Sequence, residues 1–260
     1  MAEAAPERMH PSFINVIRQK ERVRANLSGI KHKIGVYSAK GGVGKTTTAV
    51  NIAFALMKKG FKVGLLDADI DCPNLTMFLG ITDKMEAKIP LKPLERLGVK
   101  VASTAMLVDE VKKPIIWRGP IITKMLGDFF ENTEWGELDY LIVDLAPGTS
   151  DGALTIMQLL ELEGFVIVTT PQKIATANAT RSGLMAKRMN IGVIGVVENM
   201  SGGSISENTG ELVRQLDTQL LGSVPYDRAF NSYSDEGRIP VLEDSKIMDT
   251  FTSIIAKFTG

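Results

Sequence analysis

The chain has 260 residues, of which 44% are hydrophobic, enough to bury the core of one large α/β domain. Its 30 basic and 30 acidic residues cancel, so a generally basic surface for nucleic acid is not indicated. The single cysteine, Cys72, excludes an internal disulfide framework, and no apolar run approaches the ~20 residues of a membrane span. These properties, with an N-terminus that does not resemble a signal peptide, predict a cytoplasmic protein without nucleic acid partners or stable membrane association.

The first 30 residues predict a disordered tail followed by a basic amphipathic helix, ahead of a single domain at residues 31–260. Phe13, Ile14 and Ile17 recur at helical spacing among basic residues. Such a helix could touch a membrane surface or an acidic partner. Because its apolar face is short, the pattern favours a solvated helix that packs on the domain or on a second subunit. The basic residues are Arg18, Lys20, Arg22, Arg24, Lys31 and Lys33.

A glycine-rich segment follows the apolar strand predicted at Ile34–Tyr37 and precedes apolar residues at helical spacing. Strand, glycine-rich turn and helix are the context of a phosphate-binding P-loop. The glycines let several backbone N–H groups point at one anion, and the helix N-terminus adds partial positive charge. Lys45 would reach the β- and γ-phosphates, and the hydroxyl of Thr46 would bind Mg²⁺. The loop itself comprises Gly41, Gly42, Val43 and Gly44.

Two further strands end in aspartates. The buried strand predicted at Lys62–Leu66 runs into Asp67 and Asp69, and the strand predicted at Leu138–Val143 ends in Asp144, a Walker B pattern. Open parallel α/β sheets bind ligands at this end of their strands. A Mg²⁺ ion would offset the mutual repulsion of the carboxylates, so Asp67 and Asp144 join Thr46 as candidate metal ligands. One aspartate of the Asp-Ala-Asp segment is also explained by turn or cap chemistry.

The rest of the chain predicts a doubly wound, mostly parallel sheet with helices on both faces, because near-continuous apolar strands alternate with helical segments. Residues 81–116 are mixed, because Pro90 and Pro93 interrupt the segment before the strand predicted at residues 98–103. The last helix has apolar residues from Ile247 to Phe258 on one stripe, with only Lys246 and Lys257 beside it, which favours docking on the core. Further strands are predicted at residues 98–103, 165–171 and 191–197, and helices at 121–130, after Ser206 and from Asp244.

With these residues laid out, segment 40–47 resembles the deviant Walker A motif of the MinD/ParA/Mrp class of P-loop ATPases. Ala39 replaces the first glycine of the strict motif, and Lys40 matches the extra signature lysine of the class. Across roughly residues 30–245, the motif order is similar to the Mrp (ApbC-like) family of ATP-binding iron–sulfur cluster carriers. The segment Trp117–Pro120, which MinD and ParA do not share, supports this subfamily. The other matching segments are 67–73, 144–151, 169–172, 198–201 and 234–237.

The resemblance implies a Mg²⁺-dependent ATPase with slow hydrolysis, working as a nucleotide-sandwich homodimer or with a cluster-bearing paralogue, and delivering iron–sulfur clusters to apoproteins. It implies that Lys40 contacts phosphate across the dimer, as an arginine finger does. It also implies that Thr47 binds phosphate or Mg²⁺ and that Asp69 orients the attacking water. Adenine would be held by Asn199, Pro225 and Asp227.

The cysteines depart from this family. Its carriers have a Cys-x-x-Cys soon after the Glu-Asn-Met-Ser segment, whereas residues 201–208 of this chain contain no cysteine. Clusters take thiolate ligands, typically four. Cys72 stands where the family usually has glycine, and a lone cysteine is most often a small buried hydrophobe. Two alternatives therefore stay open beside the carrier: a MinD/ParA-type switch acting through membrane or DNA, and a scaffold that binds nucleotide without hydrolysing it.

Overall fold

The computed structural model describes residues 11–70, 72–86, 88–106, 119–148 and 151–259. Predictions for residues 1–10, Trp117 and Arg118 lie outside these ranges. The strands are β1 (Ile30–Tyr37), β2 (Val63–Ala68), β3 (Leu94–Arg96), β4 (Val99–Ser103), β5 (Leu138–Leu145), β6 (Gly164–Thr169), β7 (Gly192–Ser201) and β8 (Leu220–Pro225). The helices are α1 (Pro11–Asn26), α2 (Lys45–Lys58), α3 (Leu75–Phe78), α4 (Gly119–Asn132), α5 (Asp151–Leu159), α6 (Lys173–Arg188), α7 (Glu207–Gln215), α8 (Ala229–Asp235), α9 (Pro240–Glu243) and α10 (Ser245–Ile255).

The eight strands form one sheet in the order β3-β4-β2-β5-β1-β6-β7-β8. All neighbouring strands are parallel except β3, which is antiparallel to β4. The chain leaves β1 toward β2 on one side and later returns past β1 to β6 on the other side. Open parallel sheets bind ligands where the strand order reverses in this way, at the carboxyl ends of the strands. That position is the end of β1, where the glycine-rich segment begins.

The helices cover the sheet because right-handed crossovers running in opposite directions place them on opposite faces. Helix α2 connects β1 to β2 and packs with α9 and α10, whereas α6 connects β6 to β7 in the other direction and packs with α7. Every residue of β2 and β6 is buried, as the continuous apolar runs predicted. The doubly wound sheet is thereby confirmed.

The first and last helices both pack on the domain. Arg22 of α1 forms an ion pair with Glu131 of α4, with 2.6 Å between Nε and Oε1. Asn26 donates hydrogen bonds of 2.8 Å to two carbonyls at the end of α4. Helix α10 begins after Asp244, whose carboxylate accepts from two backbone N–H groups, and it buries most of its apolar stripe. The buried side chains are Ile247, Phe251, Ile254 and Ile255.

Neither edge strand of the sheet, β3 or β8, was predicted from the sequence. The first of these, β3, shows why. It forms a hairpin with β4 through Leu97 and Gly98, both with left-handed backbones of φ +48° and +86°. Two such residues in succession match the two-residue turns that join antiparallel strands. Pro90 and Pro93 lie just before β3, which is why the segment has no strand pattern of its own.

Candidate active site

The loop between β1 and α2 has the backbone of an anion-binding loop. Gly42 and Gly44 have φ values of +81° and +84°, which glycine adopts without strain. Lys40, Gly41 and Gly42 are exposed. Helix α2 begins at Lys45, directly after Gly44, so its unpaired N–H groups and its N-terminal partial charge lie at the loop. A phosphate group is the ligand that this arrangement suits best.

Lys45 and Thr46, the first residues of α2, both contact Asp144 in β5. The Lys45 ammonium forms an ion pair with the Asp144 carboxylate, and both side chains are almost fully buried. The Thr46 hydroxyl donates to the other carboxylate oxygen at 2.6 Å. The parallel pairing of β1 with β5 brings these residues together, although Lys45 and Asp144 are 99 positions apart. The P-loop lysine, the hydroxyl and the Walker B acid therefore meet, as the sequence predicts.

Asp67 lies beside Asp144, because the two are register partners in β2 and β5. Its side chain is 1% exposed and accepts hydrogen bonds of 3.2 Å from the N–H groups of Asp69 and Leu75 and from the Ser103 hydroxyl. Burial, followed by the charge of the nearby Asp144, raises the pKa of Asp67 to about 7. Two carboxylates thus share one lysine in a buried site.

Asp69 and Cys72 lie in the turn between β2 and α3. Asp69 is buried, and its carboxylate accepts the Cys72 N–H at 3.1 Å. The Cys72 side chain is exposed, so the expectation of a small buried hydrophobe was wrong. The turn is shaped by hydrogen bonds between carboxylates and backbone rather than by apolar packing. This leaves the Cys72 thiol outside the core.

Asn199, near the end of β7, supports the P-loop from a strand that lies two positions away from β1 in the sheet. Its side-chain amide donates to the Val43 carbonyl at 2.9 Å. A Cβ at Gly44 would overlap the same amide, so Gly44 is needed for this approach as well as for its φ value. Asn199 therefore fixes the loop in the structure, in addition to the adenine contact that the family resemblance implies.

Pro225 and Asp227 follow at the end of the adjacent strand. Asn199 pairs with Val224, which places Pro225 and Asn199 at the same edge of the sheet. Pro225 and Asp227 are both exposed. The Asp227 carboxylate accepts the Ala229 N–H at 2.8 Å, at the start of α8. The structure brings these three predicted adenine contacts to one region of the edge.

Glu198 is a buried carboxylate that the sequence did not single out. It is 0% exposed and accepts from the Ser206 N–H at 3.1 and 3.2 Å and from the Ser206 hydroxyl at 2.6 Å. Ser206 also caps α7 by accepting the Thr209 N–H. These bonds close the loop of residues 201–206, which we call the β7–α7 loop. The available sequence signal was a Glu directly after the strand predicted at residues 191–197. Its partner Ser206, however, is eight residues away in an irregular segment.

Comparison with known proteins identifies the family. A family model described as the NUBPL iron-transfer P-loop NTPase, in the ParA group, matches residues 29–259. The chain belongs to this family. An iron-sulfur cluster carrier protein of Methanocaldococcus jannaschii is 40% identical over 255 residues, which cover 92% of this chain and 88% of that protein.

Solved structures agree with this iron-transfer P-loop NTPase fold. A nucleotide-binding protein from Archaeoglobus fulgidus, solved in complex with ADP, is 33% identical with a TM-score of 0.73, covering 86% of this chain and 94% of that one. The cell division ATPase MinD of Pyrococcus furiosus has a TM-score of 0.71 at 22% identity, covering 88% and 98%, and shows the likeness of fold alone. In the described part of the chain, no helix has the length and apolar character needed to cross a membrane.

The oxygen atoms at the P-loop of this family member fit Mg²⁺ bound together with a nucleotide. Thr46, Asp67 and Asp144 supply a hydroxyl and two carboxylates, which are ligands that Mg²⁺ prefers. Among the described residues, no group of three or more His, Cys, Asp and Glu side chains is arranged to hold a metal by itself. Mg²⁺ usually takes one or two carboxylates plus substrate phosphates, so the donor set fits such a shared site.

The cysteine content of this family member does not fit a cluster ligated by the chain alone. Cys72 is its only cysteine, and the β7–α7 loop consists of serines, two glycines and Ile205. An iron–sulfur cluster is typically held by four thiolates, and two copies of the chain would supply two. The β7–α7 loop is instead held by the Glu198 carboxylate.

Four other hydrogen bonds around the P-loop and α2 were missed by sequence reasoning. The Tyr37 hydroxyl donates to the Gly148 carbonyl at 2.5 Å, and the Gly148 N–H donates to the Ser38 carbonyl at 2.9 Å. These bonds join the loop after Asp144 to the start of the P-loop. Asn51, fully buried in α2, donates to the Thr47 carbonyl at 2.7 Å and accepts from an N–H of α9. No local pattern signals the bonds of Tyr37 to Gly148 and of Asn51 to Val241, because the partners are 111 and 190 residues apart.

Proposed function

We propose that the chain is a Mg²⁺-dependent ATPase that acts in the cytoplasm in the assembly or transfer of iron–sulfur clusters to apoproteins. The observation that carries the ATPase part is the contact of Lys45 and Thr46 with Asp144 at the end of the P-loop, in which Lys45 and Asp144 are buried. The iron–sulfur part is supported by family membership and by the carrier names of its relatives. The exposed single thiol of Cys72 is compatible with a reducing cytoplasm.

Each residue of the site has a role in this proposal. The backbone N–H groups of residues 41–44 would surround the phosphates, and Lys45 would move from Asp144 to the β- and γ-phosphates. Mg²⁺, when bound, neutralises phosphate charge, and Thr46, Asp67 and Asp144 would hold it. Asp69 would orient the attacking water, since its buried carboxylate lies on the same strand end as Asp67.

A dimer that encloses the nucleotide is part of the proposal. Lys40 is exposed at the P-loop edge, where a second copy could receive it. Several large apolar side chains at the end of β7 and on segments that follow β2, β6, β7 and β8 are also exposed, and such groups often mark protein contacts. Since the carboxyl ends of parallel strands share one edge, these segments lie around the P-loop. The exposed side chains are Met77, Ile174, Met200, Ile205 and Tyr226.

The cluster is cargo in this proposal, held with the help of a cluster-bearing partner rather than by this chain alone. One exposed thiol per chain is too few for four iron ligands. ATP binding and hydrolysis would switch the segments after Asp67 and Asp144 between two arrangements and so control the partner. The partner can be a paralogue that supplies the missing cysteines.

The deciding experiment measures iron and labile sulfide after anaerobic reconstitution, beside ATP turnover with Mg²⁺. We expect ATP hydrolysis without a stoichiometric cluster, and no change in either quantity for Cys72→Ser. The double variant Gly202→Cys with Ile205→Cys is a positive control, because it restores a Cys-x-x-Cys on two exposed positions of the β7–α7 loop. A cluster on the unmodified chain that Cys72→Ser abolishes would contradict the partner-held cluster. Absence of ATP binding would contradict the whole proposal.

A further inference from the structure

Two short helices that follow β2 and β8 end in glycines that touch each other. Gly80, just after α3, and Gly237, after α8, have φ values of +60° and +66°. A Cβ at Gly237 would lie 2.6 Å from the Cα of Gly80, and a Cβ at Gly80 would lie 3.1 Å from the Cα of Gly237. Both positions need glycine for the left-handed backbone and for this close approach. The two helix ends therefore meet backbone to backbone, a contact without flexible side chains to absorb a shift.

The start of α3 is bonded to the candidate metal site. The N–H of Leu75, the first residue of α3, donates to Asp67 Oδ2 at 3.2 Å. Leu75 and Leu79 are fully buried, so this one-turn helix is held by the core as well as by the carboxylate. A displacement of α3 would consequently be felt at Asp67, and at Asp69, whose N–H is bonded to the same carboxylate.

The start of α8 is bonded to the candidate base site. The carboxylate of Asp227, a proposed adenine contact, accepts the N–H of Ala229, the first residue of α8. At the other end of α8, the Gly237 carbonyl accepts from the Arg96 guanidinium at 3.3 Å. Helix α8 therefore connects Asp227 to the contact with Gly80 over only seven residues.

We propose that the Gly80–Gly237 contact couples recognition of the nucleotide base at Asp227 to the positions of Asp67 and Asp69. The base then determines the rate of hydrolysis as well as the affinity. Packed backbones move together rather than deform continuously, so a shift of α8 is passed to α3. This inference rests on the proposed ATPase function. Gly80 and Gly237 are positioning residues in it, because neither touches the nucleotide.

The first test compares turnover of ATP with turnover of inorganic tripolyphosphate, which has the phosphates but no base. We expect the unmodified chain to have a kcat for ATP about tenfold or more above that for tripolyphosphate, within the range of ordinary coupling energies. Gly237→Ala should lower kcat for ATP to within about threefold of the tripolyphosphate value, because the added Cβ breaks the contact. The affinity for ATP and the kcat for tripolyphosphate should change little.

Gly60→Ala is the matched control. Gly60 has φ +91°, so alanine there carries the same left-handed strain, but a Cβ at Gly60 meets nothing within 4 Å. This variant should keep the full ratio of the two kcat values. An unchanged ratio in a folded Gly237→Ala protein would overturn the inference. Equal kcat values for ATP and tripolyphosphate in the unmodified chain would overturn it too, while leaving the ATPase proposal intact.

The second test needs no variant, so it applies even where Gly237→Ala does not fold. Hydrogen exchange of residues 75–81 is measured with Mg²⁺ and saturating ADP or pyrophosphate. We expect ADP to slow exchange in α3 about fivefold more than pyrophosphate does, because only ADP carries the base. Equal protection by the two ligands would overturn the coupling. Failure of ADP to bind would contradict the proposed function itself and, with it, this inference.

Discussion

The P-loop site and the β7–α7 loop lie at the same edge of the sheet and hold their charges in different ways. At the P-loop, Lys45 and Asp144 form a buried ion pair, and Asp67 adds a second carboxylate beside it. In the β7–α7 loop, the Glu198 carboxylate is bonded only to the Ser206 backbone and hydroxyl among the contacts that the structure describes. At the P-loop, a phosphate can compete with Asp144 for the Lys45 ammonium, and a cation can compete with Lys45 for the carboxylates. In the β7–α7 loop, the Glu198 carboxylate accepts hydrogen bonds from the neutral donors of Ser206.

The difference indicates which part of the proposed function the described residues support. On the phosphate side, Lys45 and Thr46 contact Asp144, and Asp67 lies beside Asp144 on the neighbouring strand. The loop where family carriers have their Cys-x-x-Cys keeps a fixed shape without thiols, because Glu198 and Ser206 hold its ends together. Shape and metal binding are therefore separable in this loop. The following predictions test the contrast between the two regions, from the largest expected effect to the smallest.

Lys45→Ala should affect both stability and turnover. It leaves the Asp144 carboxylate buried without its partner, which typically costs about 3–5 kcal/mol in the free energy of unfolding. Loss of the lysine should also lower kcat for ATP about a hundredfold or more, since it removes charge stabilisation in the transition state. Chemical denaturation and steady-state hydrolysis measure the two effects.

The double variant Lys45→Ala with Asp144→Asn is the control for Lys45→Ala. It removes both charges, so it should recover most of the lost stability while hydrolysis stays low. A Lys45→Ala protein as stable as the unmodified chain would show that the ion pair contributes nothing and would remove one side of the contrast.

Glu198→Gln should affect stability without a matching effect on turnover. It replaces the charged acceptor of the Ser206 bonds, and hydrogen bonds to charged groups contribute about 1.5–3 kcal/mol. Turnover of ATP should stay within about threefold, an effect below 1 kcal/mol. Ser206→Ala is the partner variant, and the two together should cost less than the sum of the single changes, because they break the same bonds. A large loss of kcat would instead make the β7–α7 loop part of the ATPase.

The pH dependence of the free energy of unfolding should distinguish the P-loop site, where two carboxylates lie side by side, from a carboxylate that has a lysine to itself. The pKa of Asp67 is raised from 3.8 to about 7 in the folded chain, chiefly by burial, so the folded state holds a proton that the unfolded state releases. This contribution to stability is full below about pH 4 and is lost as pH rises to 7, by at most about 1.4 kcal/mol per unit. Denaturation in Mg²⁺-free buffer should therefore show Asp67→Asn gaining stability over the unmodified chain as pH rises.

Asp139→Asn is the control of opposite sign. The hydrogen bond from Lys31 lowers the pKa of this half-buried carboxyl, so its contribution is present above the unfolded pKa and is lost as pH falls. Asp139→Asn should lose stability relative to the unmodified chain at neutral pH and approach it in acid. If Asp67→Asn instead followed this second pattern, the carboxylate crowding described at the P-loop would be contradicted.

Local patterns predicted the parts of this fold whose causes are local. The glycines of residues 41–44 sit between a strand and a helix, and Asp244 precedes an amphipathic stripe, so both elements are readable from neighbouring residues. The hairpin strand β3 was missed because its pairing is set by the turn at Leu97 and Gly98 rather than by an apolar pattern. The exposure of Cys72 was missed because the surrounding turn is shaped by backbone bonds to Asp69.

Contacts between distant residues were not predictable in the same way. Asp67 and Asp144 were each singled out as acids at strand ends, and the shared edge of a parallel sheet made their proximity foreseeable. The bonds of Glu198 to Ser206 and the contact of Gly80 with Gly237 depend on where loops return. Spacing in the sequence carries no information about such meetings, so they required the structure.

The buried side chain of Asn51 has a consequence for how the chain is made. Its carbonyl oxygen accepts the Val241 N–H at 2.8 Å, while its amide holds the first turn of the P-loop helix at Thr47. Domains begin to fold during synthesis from the N-terminal end. Until Val241 has been synthesised, the Asn51 oxygen lacks this partner. At that stage β8 has only just been synthesised, and α10 has not been synthesised at all. The nucleotide-binding segment, translated among the first, therefore reaches its final packing among the last.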